Sequence, residues 1–348
     1  MPTKAIPKTT VLFATSRELT GHTAGGSPYF NDVATDPPSL ICASATVDKL
    51  DIFSPAKGKI TAWTDLHTGG FAPNDIAAIA NSGNDVLVFV HGSSNAFEDA
   101  IIRGAYNKAW LAMASDHGLK SDFDVVVFSW PSFSYPYWFL LADFIDYKND
   151  QKQAAASAPH FGLFLKIITD LRAQIGGRRI NLLCHSMGNY MLGGAVEMWS
   201  HANPEASEPL FDQVVLAAAD EIATTFSTPE DGRLAGLRKL GKKVAVYYSY
   251  DDIMMTLSQK VNCNFRLGYD GPPNASDTEF FPPGVYEFVD CTGVNDYISS
   301  LVEQPDRSHQ YYRQSPTVRL DLAQVLAGIK PQRLRFDPRA NAYGLFPI

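Results

Sequence analysis

Cysteine is scarce and scattered: four residues in 348, Cys42, Cys184, Cys263 and Cys291, with no C-x-x-C pair among them. That spacing matches neither the usual zinc sites nor a dense disulfide framework, and leaves at most a single Cys263–Cys291 bridge. An excess of positive charge is also missing, with 29 Lys and Arg against 37 Asp and Glu for a net −8. Without a basic stripe or a Gly-rich phosphate loop, nucleic-acid and phosphate binding have no footprint here. No run of 18 apolar residues occurs, and Met1 to Val11 lacks the apolar core of a secretion signal. The expectation is a chain with no membrane span and, by default, a cytoplasmic location.

What is present is an ordinary globular composition, 45% hydrophobic and 19% charged, far from that of a disordered chain. Short apolar runs at Val11–Thr15, Leu40–Ala45, Val86–Val90, Val125–Phe128, Ile180–Leu183, Val214–Leu216, Val244–Tyr248 and Val285–Val289 read as strands. Runs apolar on both faces suit a parallel sheet covered by helices. Helical spacing occupies Phe97–Met113, Gln151–Ile175, Met187–Trp199, Arg233–Leu240 and Pro316–Leu326 between them. The alternation predicts a doubly wound, mostly parallel eight-stranded α/β sheet, with residues 1–348 forming one domain.

Ser186 follows the Ile180–Leu183 strand almost directly and precedes a helix, in Cys184-His185-Ser186-Met187-Gly188. This is the setting of a nucleophile elbow, a sharp strand-to-helix turn that lifts a serine oxygen out of the sheet. The usual pattern is G-x-S-x-G; Cys184 replaces the first glycine and Gly188 keeps the second. Alone, Ser186 also admits the plainer reading of an ordinary helix N-cap. A second motif weighs against that plain reading: Val86–Val90 runs into His91-Gly92-Ser93-Ser94-Asn95. In such sheets the corresponding loop supplies one oxyanion-binding amide and the residue after the nucleophile the other, here Ser93 and Met187. His91 reads as a scaffold and pocket residue rather than a base.

A serine nucleophile needs a histidine base oriented by a carboxylate, in the chain order serine, acid, histidine. His201 comes too early, which leaves His309, in Asp306-Arg307-Ser308-His309-Gln310. For the acid, Ser249-Tyr250-Asp251-Asp252 follows the Val244–Tyr248 strand and favours Asp252, with Asp251 and Asp220 as alternatives.

Taken together, several motifs resemble a bacterial branch of the α/β-hydrolases marked by an H-S-M-G-N elbow. They are Phe13-Ala14-Thr15-Ser16-Arg17, Phe89-Val90-His91-Gly92, Asn95 to Asp99, Phe128-Ser129-Trp130-Pro131-Ser132, Tyr147 and Asp150. His185 to Asn189, Leu216 to Asp220, Ser249 with Asp252, and His309 with Tyr311 continue the likeness along nearly the whole chain. The resemblance implies the α/β-hydrolase fold, a Ser186–Asp252–His309 triad and carboxylic-ester or related acyl hydrolysis, a chemistry expected to need no cofactor or metal. Ala219 departs from the family's frequent proline at that position, and Phe133 to Ile145 is unusually aromatic.

That segment follows the Val125–Phe128 strand, at the sheet end where active sites lie. It is expected to be a lid or pocket wall at about residues 130–150, with Tyr135 and Trp138 facing an apolar part of a small ester substrate. Buried packing is the plainer alternative. Thioester, amide or acyl-transfer chemistry uses the same residues, and a catalytically silent binding protein of this fold is the rival from another class. Sequence leaves the oligomeric state undetermined.

Overall fold

The computed structural model describes residues 6–23, 26–55, 57–133, 142–227, 232–302, 304, 306–333 and 335–347. The chain divides into two compact units, one taking in the residues up to Ala109 with Phe123–Arg178, the other Trp110–Asp122 with Arg179 onward.

The first unit opens with β1 (Thr9–Thr15), followed by the hairpin β2 (Arg17–His22) and β3 (Pro28–Ala34). Next come β4 (Ile41–Asp48), β5 (Lys59–Trp63), β6 (His67–Thr68), α1 (Pro73–Ser82), β7 (Asp85–Val90), α2 (Phe97–Ala112), β8 (Phe123–Ser129) and α3 (Ala142–Gln174). Strand β8 pairs in parallel with both β7 and β1, whereas β1 and β4 are antiparallel. Every residue of β7 is buried, as its uninterrupted apolar run requires. Helix α2 lies close on β8 because Gly104 has no side chain: a Cβ there would sit 2.2 Å from Val127 Cγ2. Helix α1 starts with Pro73 in its first turn and stops at Gly83, whose φ of 75° ends the helix in the left-handed region.

The second unit carries a parallel run of strands: β9 (Ile180–His185), β10 (Gln213–Ala217), β11 (Val244–Tyr248), β12 (Tyr286–Asp290) and, from near the C-terminus, β14 (Ala342–Gly344). Strand β13 (Arg335–Asp337) pairs antiparallel with β14. The helices are α4 (Met187–Ala202), α5 (Leu237–Leu240), α6 (Ile253–Asn262), α7 (Leu267–Asp270), α8 (Tyr311–Gln314) and α9 (Pro316–Leu326). Strands β9, β10 and β11 are buried throughout. Helix α9 begins where its sequence says it should, with the Ser315 hydroxyl capping the Val318 amide at 3.1 Å and Pro316 in the first turn.

All eight expected strands are present, and the expected α/β-hydrolase architecture holds. The helix expected over Arg233–Leu240 is shorter, only Leu237–Leu240, because Gly236 interrupts the pattern. The long helix begins at Ala142 rather than Gln151. All four cysteines are free thiols, Cys263 exposed and Cys291 buried. Among the described residues no helix is long and apolar enough to cross a membrane.

Candidate active site

Strand β9 ends at His185 and helix α4 starts at Met187, so the whole turn falls on Ser186, which takes φ 54° and ψ −128°. A side chain in that region is strained by about 1–3 kcal/mol and persists only when its surroundings hold it. Three backbone contacts do so: the Ser186 amide donates to Ala217 O at 3.0 Å, and the Asp220 and Asn189 amides donate to Ser186 O at 3.1 and 2.9 Å. The Asn189 side chain adds two more, donating to Cys184 O and Ser186 O at 3.2 and 3.1 Å. Asn189 is therefore the brace of the turn, a role invisible in sequence because both its partners are carbonyls. Cys184 is fully buried, and burial pushes its thiol pKa well above the ordinary value, so it is a packing residue and not a thiolate.

Asp252 is buried at the start of α6 and divides its carboxylate between two tasks. One oxygen caps the helix, accepting from the Met254 and Met255 amides at 3.0 Å each. The other accepts from Nδ1 of His309 at 2.7 Å, across 57 residues of sequence. With Nδ1–H so engaged, the lone pair of His309 lies on Nε2. Burial opposes the imidazolium of His309, but the charge and hydrogen bond of Asp252, helped by Asp306 and Asp220, outweigh it and raise the pKa.

The carboxylates of the other two candidates are engaged differently. Asp251 is exposed. Asp220 is buried but engaged with the Ser258 hydroxyl, and its carboxylate lies 3.5 Å from Arg266 Nε. The loop carrying Asp220 is pressed from behind by Gly268, where a Cβ would meet backbone atoms of Ala218 and Ala219 at 2.3 Å. Its neighbour Glu221 pairs with Arg233 at 2.8 Å, and burial lifts the Glu221 pKa to about 7.

The segment bearing His309 is pinned at two points. His185 Nε2–H donates to His309 O at 3.1 Å, and the two rings lie 4.7 Å apart. Two residues on, the Tyr311 hydroxyl accepts from the Ala218 amide at 2.8 Å and donates to Tyr247 O at 2.7 Å. Met187, the first residue of α4, is buried, and its amide belongs to the helix turn whose N–H groups have no partner within the helix.

In the first unit, the loop after β7 is held almost entirely by side chains. Arg17, wholly buried, donates to Asn95 O at 2.7 Å and Ser132 O at 3.2 Å and pairs with Asp32. Asn95 donates to Gly92 O and Ser93 O at 2.9 and 2.7 Å. Asp150 accepts from the Ser94 amide at 3.0 Å and the Phe133 amide at 2.9 Å, and burial raises its pKa to about 7. Ser94 itself takes φ 57°, a turn these contacts stabilise. Ser93 is half-buried within that braced loop.

His91, expected to line a pocket, is instead fully enclosed and has no surface to offer a substrate. Its Nδ1–H donates to Gly92 O at 2.8 Å, Nε2 accepts from the Trp130 amide at 3.2 Å, and its ring stacks on Trp130. Burial holds its pKa down at about 3, so it stays neutral. Tyr135 and Trp138, the other expected pocket residues, lie outside the described residues. Among the described residues no group of three or more His, Cys, Asp or Glu side chains is arranged to hold a metal ion.

Among curated proteins no relative matches the chain. Solved structures similar to it include the phospholipase PlaB of Legionella pneumophila, 14% identical over 62% of this chain and 40% of that one, with a TM-score of 0.29. A lin2722 gene product of Listeria innocua is 12% identical over 75% of this chain and 98% of that one, with a TM-score of 0.34. An acylaminoacyl peptidase of Pyrococcus horikoshii is 11% identical over 88% of this chain and 50% of that one, with a TM-score of 0.36. The chain thus spans less than half of the Legionella phospholipase and half of the Pyrococcus peptidase. The family described as alpha/beta hydrolase of unknown function (DUF900) matches residues 74–327, which include the loop after β7, the elbow, Asp252 and His309, and the chain belongs to that family.

Proposed function

We propose that the chain is a serine hydrolase that cleaves carboxylic esters through an acyl-enzyme. His309 Nε2 takes the proton of Ser186 Oγ as that oxygen attacks the substrate carbonyl. Asp252 keeps His309 in the Nδ1–H tautomer and stabilises the imidazolium that forms. The tetrahedral oxyanion draws on the Met187 amide and, by the pattern of the fold, on the Ser93 amide; losing one such donor costs about 3–4 kcal/mol of transition-state stabilisation. The leaving alcohol departs with the proton from His309. Water, deprotonated by the same imidazole, then attacks the acyl carbon and frees Ser186. The aromatic stretch containing Tyr135 and Trp138 suggests a substrate with an apolar acyl or aryl part.

The observation that carries this reading is the 2.7 Å contact between His309 Nδ1 and Asp252, two buried side chains distant in sequence, on a segment tied directly to the residue before Ser186. The test is hydrolysis of short-chain p-nitrophenyl esters by the purified protein, with and without a serine-directed phosphonate, and mapping of the adduct. Turnover abolished by the phosphonate, with the adduct on Ser186, is expected. No turnover and no adduct on Ser186 would overturn the proposal and leave a binding protein of hydrolase fold. Parallel thioester and amide substrates separate esterase from thioesterase and amidase action.

A further inference from the structure

His185 shares the elbow with Ser186 but takes no step in the mechanism above. Its side chain is nonetheless almost wholly buried, 2% exposed, and faces the base rather than a substrate. The Nε2–H donates to the backbone carbonyl of His309 at 3.1 Å. Its ring packs against two rings of the same segment, 4.7 Å from His309 and 4.6 Å from Tyr312. We infer that His185 is a positioning residue for the base, through which the nucleophile's own strand fixes where the His309 ring stands. This deepens the reading of the site given above and rests on it for its catalytic meaning.

The physical argument turns on which degrees of freedom remain. Asp252 fixes the His309 ring through one nitrogen, and that single contact leaves the ring free to rock about the Nδ1–Oδ2 line. His309 closes a three-residue 3₁₀ turn, Arg307–His309, a short element with little rigidity of its own. A donor on its carbonyl and a ring against its face remove that freedom. The donor comes from the residue adjacent to Ser186, so any movement of the elbow carries the base with it. A nucleophile and base must keep hydrogen-bond reach, and displacements near 1 Å can cost about a hundredfold in rate. A histidine suits the position because it combines a flat ring with a donor at its far end; phenylalanine keeps only the first, glutamine only the second.

The test compares His185→Phe, His185→Asn and His185→Gln in the full-length protein. The readout independent of turnover is the downfield proton NMR signal of the His309 Nδ1–H···Asp252 hydrogen bond, identified by its absence in Asp252→Asn. His185→Phe should broaden or remove that signal. His185→Asn, whose amide is too short to reach the carbonyl, should do the same and serves if the phenylalanine variant does not fold. His185→Gln, whose amide nitrogen reaches nearly as far as Nε2 but which lacks the ring, should restore it in part. On an ester substrate, His185→Phe should lower kcat about ten- to a hundredfold with KM unchanged, the range for a buried hydrogen bond, and should move the acidic limb of the pH profile to lower pH. An unchanged signal in folded His185→Phe or His185→Asn overturns the inference. A signal that responds as described in a protein without ester turnover upholds the positioning role and overturns the esterase reading instead.

Discussion

Asp252 lies 2.7 Å from Nδ1 of His309 while its second oxygen caps α6, so one buried carboxylate both orients the His309 imidazole and starts a helix. Asp252→Asn should therefore be damaging in two measurable ways. An amide can still cap α6 through its oxygen, leaving its NH₂ toward His309 and favouring the wrong imidazole tautomer. Turnover should fall by about ten-thousandfold, as for loss of a triad acid. The pH–rate profile should shift as well. In the proposed mechanism activity needs neutral His309, whose pKa Asp252 raises against the opposing effect of burial. Without that charge burial dominates, and the acidic limb of residual activity should move to lower pH. A limb that stays put would show that Asp252 does not set the titration of the base.

The backbone of Ser186 offers a test that does not depend on turnover. At φ 54° and ψ −128° a Cβ is strained and glycine is not. Ser186→Gly should then be more stable than Ser186→Ala by about 1 kcal/mol, although glycine normally costs backbone entropy. Chemical denaturation of the two variants reads this directly. The opposite order would mean that the turn relaxes in the variants.

Arg17 should prove one of the most costly surface-distant substitutions in the first unit. Its guanidinium is wholly buried and satisfies the carbonyls of Asn95 and Ser132. Arg17→Met takes a charged donor from both acceptors, leaving Asn95 O with the Ser132 hydroxyl at 2.9 Å. Its ion-pair partner Asp32 is 38% exposed, however, and water can take it over. The expected loss is about 3 kcal/mol, the lower end for breaking a buried pair, and Arg17→Lys should recover only part of it because an ammonium lacks the planar fork.

Two buried carboxyls predict an unusual slope of stability with pH. Glu221 is raised from 4.5 to about 7 and Asp150 from 3.8 to about 7, burial being the leading cause in both. Between their unfolded and folded values the native chain binds more protons than the unfolded one. Stability contributed by these groups therefore falls as pH rises across roughly pH 4 to 7, by at most about 1.4 kcal/mol per pH unit for each. His91 acts in the opposite sense, since its folded pKa of about 3 makes the native chain lose stability as pH falls below its ordinary value. Glu221→Gln should lower the difference in denaturation midpoint between pH 5 and pH 7.5 in the direction of greater relative stability at pH 7.5. A variant with the wild-type difference would show Glu221 already ionised at pH 5.

The strands were legible because they are buried on both faces and so read as unbroken apolar runs; Val86–Val90 and Ile180–Leu183 are of this kind. The β2–β3 hairpin was not, since β2 is mostly exposed and its pairing slips register twice. Helix α6 is hidden in the sequence although its capping residue stands out: Asp252 suggests acid chemistry, and its second task depends on amides that any sequence would supply. Arg17, Asp150 and Asn95 stood within recognisable motifs without a role, because their partners are backbone carbonyls and amides of distant loops. Residue type and chain order, which a sequence does display, single out Ser186, Asp252 and His309, and the structure brings Asp252 and His309 together. His91 misled for the same reason: its type suggested a pocket, while its environment, closed by Trp130, is what decides its chemistry.

The pinning of the chain at His309 and again at Tyr311 has a consequence for how this region tolerates changes in length. Ahead of the first pin, Leu301 and Val302 are exposed, and lengthening a flexible loop costs only about 0.6 kcal/mol for each doubling of length. Insertions there should be absorbed with little effect on the base. Between His309 and Tyr311 the margin vanishes, because the His309 carbonyl and the Tyr311 hydroxyl each meet fixed partners at the ends of neighbouring strands. A single added residue would rotate one pin away from its partner, so this two-residue step acts as a ruler for the site.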